Sequence, residues 1–344
     1  MTIYCIIYAI LLILTCAYGK RVKSPLPVIV IALVLWIVAA WKDSSVGTDS
    51  FMYYLSFESP FYYSDARWFS GTQRGWYYIN VFFNQVADYR VFIMFCYGII
   101  VGGFTYYIRK ASPYTYMSLF LFVAFWFYLS SFNIMRQYIA LGIIFPFIPG
   151  LPQKKIPFII ACLAASTIHT LSIVLLSLLF IDKLRISNRI IILVTVIVTM
   201  VIGYLYSTSF FGTMLSPIAN LFGEGFSDYT KDIGGQRKFI VGFLTSLFFI
   251  ISYLLAKDRK DPALKAYFLY IVGYNLFGSM EAGNRLFIFL QIPMIIALPT
   301  ILKQIDNVLL RILYFLGIIG YGSFIFFYSI RLGSGEVVPY VWGY

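Results

Sequence analysis

The chain reads as a series of long apolar runs separated by short, mostly basic connections. Runs at 2–18, 25–41, 91–108, 114–131, 134–150, 190–206, 239–256, 266–280, 286–302 and 309–330 have the length and composition of membrane-crossing helices. Apolar residues within them are continuous rather than alternating, which excludes the in-out period of a membrane β-barrel. The pattern predicts an all-α, polytopic transmembrane helical bundle with ten full spans. The first run lacks a basic leader and a small-residue cleavage site, so it is expected to stay as a span. Neither an internal repeat nor a low-complexity tract is present.

One run does not fit. Residues 156–181 are long for one span and short for two, with His169 near the middle. If this run enters and leaves on the same side, about 16 of the 26 Lys and Arg face the cytoplasm, as the positive-inside rule asks. If it crosses, everything after it inverts and the split becomes about 12 inside against 14 outside. Charge therefore favours a re-entrant hairpin. Each arm of about 12 residues would reach roughly 18 Å into the bilayer and carry His169 near the midplane. This topology places both chain ends outside and makes 1–344 a single integral membrane domain. Residues 42–90 and 207–238 become extracytoplasmic loops over an outer-leaflet cavity.

Composition agrees with this picture. At 61% hydrophobic and 12% charged residues, the chain is excluded from the soluble classes. A net charge of +12 would suggest nucleic acid in a soluble protein; here cytoplasmic loops account for it, and membrane lipids are the expected partners instead. Cys5, Cys16, Cys96 and Cys162 lie in apolar runs and read as small core residues, without a disulfide framework. With His169 the single histidine and no His/Cys/carboxylate cluster, no metal or cofactor is expected.

Polar residues inside the apolar runs are the candidates for chemistry. SSFNIMRQYIA (130–140) sets Asn133, Arg136, Gln137 and Ala140 at helical spacing, one polar stripe with a charge in it. An arginine at such depth costs about 2.5–3.5 kcal/mol and needs a partner or a water-filled pocket. It is either a binding group or a packing pin held by backbone carbonyls. EAGNR (281–285) joins two spans at the same outer side, where Glu281 and Arg285 are binding groups or a mutual ion pair. In the first outer loop, VGTDS (46–50) is a turn, and Asp49 reads as a functional carboxylate or as an Asx-turn residue. The rings that follow, among them Phe51, Tyr53, Tyr54, Phe57, Tyr62, Trp68, Trp76 and Tyr78, suit either a membrane-interface belt or a platform for sugar faces.

VGTD after the second run, NIMRQYIA opening the fifth, the lone histidine of AASTIHTLS and NRLFIFLQIPMIIALP near the end occur in this order. In that ordered set, over about 25–299, the chain resembles the EpsG family of Wzy-like polymerases of bacterial exopolysaccharide, capsule and O-antigen synthesis. Two positions depart from the family pattern. Lys42 stands where an arginine often precedes the GTD turn, and Gln73-Arg74 stand where a glutamate often opens the next helix.

The resemblance implies a multi-pass enzyme of the bacterial inner membrane, its site facing the periplasm or cell exterior. Such an enzyme transfers a glycan from undecaprenyl pyrophosphate to a hydroxyl of the next lipid-linked unit. Donor and acceptor are both undecaprenyl-pyrophosphate-linked oligosaccharides, and a chain-length regulator and a flippase are further partners of such systems. Arginine suits the pyrophosphate because its planar fork grips two oxygens and stays charged. Arg136 and Arg285 are the candidates for that role, and His169 or Asp49 for the general base. Asn133, Gln137, Thr48, Glu281, Asn284 and Arg74 complete the expected substrate-binding set. Two other classes use similar features: a transporter or flippase of a lipid-linked oligosaccharide, and a membrane acyltransferase. The first normally shows repeat halves, and the second normally pairs its histidine with a nearby carboxylate. Neither feature is present in the sequence.

Overall fold

Apolar runs that must satisfy their backbone without water fold as helices, and this chain does so throughout. The computed structural model describes residues 1–18, 24–60, 73–151, 153–205, 235–278 and 281–343. Among them the only β-type pairing is an isolated bridge between Lys42 and Trp342. The second expected outer loop falls largely on 206–234 and, like 61–72 of the first, lies outside the described residues. Two compact units are present: Met1–Leu176 with Ile312–Tyr344, and Ser177–Arg311.

The first unit contains α1 (Thr2–Ala17), α2 (Leu26–Ala40), α3 (Ser50–Glu58), α4 (Arg74–Val86) and α5 (Tyr89–Ala111). It continues with α6 (Thr115–Ala124), α7 (Phe127–Ser130), α8 (Met135–Ile144) and α9 (Lys155–Ser166). Every residue of α6 is buried, which marks it as a core helix rather than a surface one. It packs on α1, and Phe104 of α5 stacks on its Phe122 at 4.7 Å between ring centroids. Gly142 of α8 lies against the Ile99 carbonyl of α5, where a β-carbon would come within 2.6 Å. Small residues let these two backbones touch, as in other membrane helix pairs.

The second unit contains α10 (Arg189–Leu205), α11 (Gly235–Leu255), α12 (Pro262–Phe277), α13 (Glu281–Gln291) and α14 (Met294–Gln304). Asp261 opens α12 by accepting from the Ala263 and Leu264 amides at 2.7 and 3.2 Å, with Pro262 at the first helical position. Inside the unit, Ser246 donates to Asn275 Oδ1 at 2.9 Å, and Asn275 Nδ2 lies 3.3 Å from Thr199 Oγ1. This polar clasp joins α10, α11 and α12. The last long helix, α15 (Val308–Arg331), belongs to the first unit from Ile312 onward.

The outward faces are also apolar: Ile13 on α1 and Leu26 on α2 are each 65% exposed. Such a surface needs lipid or partner helices around it, as expected of a membrane protein. Among the described residues, Tyr89–Ala111, Arg285–Gln304 (α13 continued by α14) and Val308–Arg331 are long and apolar enough to cross a bilayer. Thr2–Ala17, Leu26–Ala40, Thr115–Ala124, Lys155–Ser166, Arg189–Tyr204 and Val241–Leu255 are apolar but shorter, so ten full-length spans are not reached there. The reason lies in the backbone. The run at 114–131 breaks at Trp126, whose φ is +70°, and the run at 134–150 turns into a 3-10 helix (Phe145–Gly150) at Pro146 and Pro149. The helix α9 stops at Ser166, and after a turn at 167–169 the chain continues as a 3-10 helix, Thr170–Lys183.

Candidate functional site

In the first unit the VGTD turn, the connection between α7 and α8, the start of α4 and the C-terminal tail are joined by hydrogen bonds. The turn comes first. Gly47 has a φ of +103°, which an L side chain rarely adopts, and a β-carbon there would lie 2.7 Å from Asn133 Oδ1. Buried Lys42 supports the turn from beneath. Its Nζ donates to Val46 O at 3.0 Å, bonds Ser50 Oγ, and lies 5.4 Å from the centre of the Phe132 ring. Burial pushes the Lys42 pKa down to about 7, with nearby Asp43 opposing the shift and Arg90 adding to it.

From the other side the turn is held by a tail that the sequence did not single out. The Gly47 and Thr48 amides donate to Glu336 O and Gly335 O at 3.1 and 3.2 Å. Asn133 Nδ2 donates to the same Gly335 oxygen at 3.0 Å. The tail is fixed in turn by Tyr4, which donates to Val337 O at 2.9 Å, and by the Asp43 amide, which donates to Val341 O at 2.9 Å. Thr48 is exposed, and its hydroxyl donates to Asp49 Oδ1 at 3.2 Å. Asp49 stands at the N-cap of α3 but does not cap it through its side chain.

Arg136 lies one turn beyond Asn133. Asn133 precedes the start of α8 at Met135, so it does not continue the stripe of Arg136, Gln137 and Ala140 as the helical spacing predicted. Its side chain turns instead to the tail, and its backbone carbonyl accepts from Tyr53 at 2.8 Å. Half-buried Arg136 donates from Nη1 to Gln73 Oε1 at 2.6 Å, and Gln137 next to it is buried. The residue that meets the arginine is therefore Gln73, one of the residues at which the sequence departs from the family pattern. A carboxylate there would neutralise the guanidinium; the amide accepts its hydrogen bond and leaves the charge in place.

The same helix start reaches the turn that leads to His169. The Trp76 amide lies 3.3 Å from Thr167 O, and Gly75 packs on Thr167 so closely that no side chain fits between them. His169 follows two residues later, after the end of α9, and its amide donates to Ala165 O at 2.9 Å. Arg74, the first residue of α4, is exposed. The expected aromatic platform is mostly interior: Tyr53, Phe57 and Trp76 are buried, with Tyr53 and Trp76 edge to face at 5.9 Å, while Phe51 and Tyr78 are exposed. Tyr62 and Trp68 lie outside the described residues.

The EAGNR residues belong to the second unit. Glu281, Asn284 and Arg285 open helix α13 rather than forming a loop; the connection from α12 is only 278–280. Glu281 and Arg285 stand four residues apart, one helical turn.

The model of the EpsG family matches residues 26–342, nearly the whole chain. The chain belongs to the EpsG family. EpsG is a Wzy-like polysaccharide polymerase family, and this chain is accordingly a polymerase-like membrane protein. The matched region includes the VGTD turn, Gln73, Arg136, His169 and the tail as far as Trp342. Comparison with the curated proteins and with the solved structures found no match.

Proposed function

We propose that this EpsG protein polymerises oligosaccharide repeat units carried on undecaprenyl pyrophosphate, at the outer face of the bacterial inner membrane. The acceptor hydroxyl oxygen attacks the anomeric carbon of the donor glycan. A new glycosidic C–O bond forms as the bond to pyrophosphate breaks, and lipid pyrophosphate leaves with the electron pair. The acceptor proton passes to His169, with Asp49 and Thr48 binding acceptor hydroxyls. Arg136 grips the leaving pyrophosphate. Asn133, Gln137 and Arg74 complete the substrate-binding set of the first unit.

The observation that carries this reading is the partner of Arg136. Among the described residues that partner is a neutral amide, so the positive charge remains for an anion to meet. The helix break beside His169 supports the re-entrant course, because non-helical backbone at membrane depth is tolerated where it is buried or lines a cavity. In this reading the shorter helices and the segment 156–181 make up the remaining membrane-embedded elements.

The decisive experiment supplies purified protein with a lipid-linked repeat unit and resolves the glycans by size. Ladders of successive lengths are expected, and their absence with intact substrate overturns the polymerase reading. Topology is checked separately. Cysteines at positions 187 and 258, in a background without the native four, should both resist an impermeant thiol reagent added outside intact cells. External labelling of either removes the re-entrant hairpin.

A further inference from the structure

The second unit has a basic cleft that the polymerase chemistry does not use. Two adjoining cavities, ≈ 950 and ≈ 580 Å³, share Lys257 and Arg259 in their walls. Their linings carry six cations against three carboxylates. Two of the cations are already engaged. Lys265 is buried and donates to the Ile181 and Asp182 carbonyls at 3.2 and 3.1 Å, and Lys257 pairs with Asp306. Asp258 is occupied as well, accepting from the Lys260 amide at 2.8 Å.

The frame of the cleft is well tied. Tyr253 donates to Ile186 O at 2.7 Å, and Gln304 Oε1 accepts from the Lys257 and Asp258 amides at 2.8 and 3.0 Å. On this frame Arg259 lies over the Tyr253 ring, 5.2 Å from its centre. Its Nε is buried and has no acceptor among the described residues. A buried donor of a charged group without an acceptor is costly, and an oxygen ligand would remove the cost. Guanidinium with a second cation close by is the usual means of holding a phosphate.

The rim identifies the rest of the ligand. Leu254 and Leu310, which line the smaller cavity, are 45% and 41% exposed, so a ligand that meets the cations there also meets aliphatic side chains. We infer that the cleft binds the phosphate headgroup of an anionic phospholipid, with the acyl chains along that apolar rim. Basic pockets between membrane helices recognise lipid headgroups in this way. The site is separate from Arg285. Helix α12 begins at the Asp261 cap beside the cleft, runs for 16 residues, about 24 Å, and the chain enters α13 only after its far end.

The test titrates the purified full-length protein in detergent with short-chain phosphatidylglycerol, short-chain phosphatidylcholine or inorganic phosphate, following the thermal midpoint. Phosphatidylglycerol should raise the midpoint saturably and the other two should not. Arg259→Gln should weaken that response by about tenfold, as for loss of a charge-assisted contact. Arg185 lines the cleft and is exposed, so Arg185→Gln keeps the question open should Arg259→Gln fail to fold. If inorganic phosphate acts as strongly as the lipid and Arg259→Gln abolishes it, the phosphate site stands but its ligand is soluble, and the lipid assignment falls. An equal response to phosphatidylcholine, or a phosphatidylglycerol response unchanged in both variants, overturns the site.

Discussion

Polar side chains interrupt apolar sequence in both units, with opposite outcomes. In the second unit, Ser246, Asn275 and Thr199 answer one another across three helices. In the first, Asn133 uses its amide nitrogen on Gly335, and its buried Oδ1 has no donor among the described residues. Arg136 beside it bonds a neutral partner and keeps its charge. A satisfied cluster holds helices together; one with unused capacity has room for a ligand. The difference separates glue from site, although both read in the sequence as a polar residue in a hydrophobic run.

The largest effect that would test this contrast is at His169, which terminates the break after α9. As general base, its loss in His169→Ala should lower turnover by about 10²–10⁴ per mole of folded protein. Near-normal specific activity with reduced yield would place His169 with the glue. At Arg136, Arg136→Lys keeps the charge but loses the planar fork. Polymerisation should fall by at least about tenfold, or about 1.4 kcal/mol of transition-state binding, while thermal stability is unchanged. Full ladders from a normally expressed Arg136→Lys protein would remove the clamp role.

Asn275→Ala should do the reverse. Stability should drop by roughly 0.6–1.7 kcal/mol, the range for one interhelical hydrogen bond in a membrane, with activity per folded molecule near wild type. A selective loss of turnover would make the clasp part of the site. A pH-dependent effect concerns Lys42, whose folded pKa near 7 lies below its ordinary value of 10.5. Between these values the unfolded chain binds more protons than the folded one, so stability should rise with pH across the window. Lys42→Met should flatten that slope, as thermal midpoints at about pH 7 and about pH 10 would show. An unchanged slope would mean that Lys42 titrates as an exposed amine.

Much of the candidate site was legible along the chain. Arg136 and His169 stood out because a charge or a lone imidazole is expensive within apolar sequence, and VGTD because its residue types mark a turn. Gln73 was visible only as a departure from a family pattern, and nothing local distinguished its amide from any other loop glutamine. Gly335 and Glu336 act through backbone carbonyls, which every residue has, so side-chain chemistry could not reveal them. The aromatic run was ambiguous because burial, not residue type, decides whether a ring is a platform or part of the floor. Tyr53 and Trp76 became floor.

By itself the sequence determined the helical class, the membrane setting and the EpsG membership, since these follow from continuous hydrophobicity and an ordered set of short motifs. Tertiary structure decided where the helices stop. Trp126 reverses its φ and the Pro146–Pro149 stretch tightens into a 3-10 helix, so the described apolar runs do not all become full spans. It also decided which distant segments meet at the VGTD turn. Hydrophobic periodicity fixes which face of a helix is buried, but not which carbonyl will stand opposite a given amide. That choice depends on packing between segments hundreds of residues apart, here the tail of the chain against Gly47, Thr48 and Asn133.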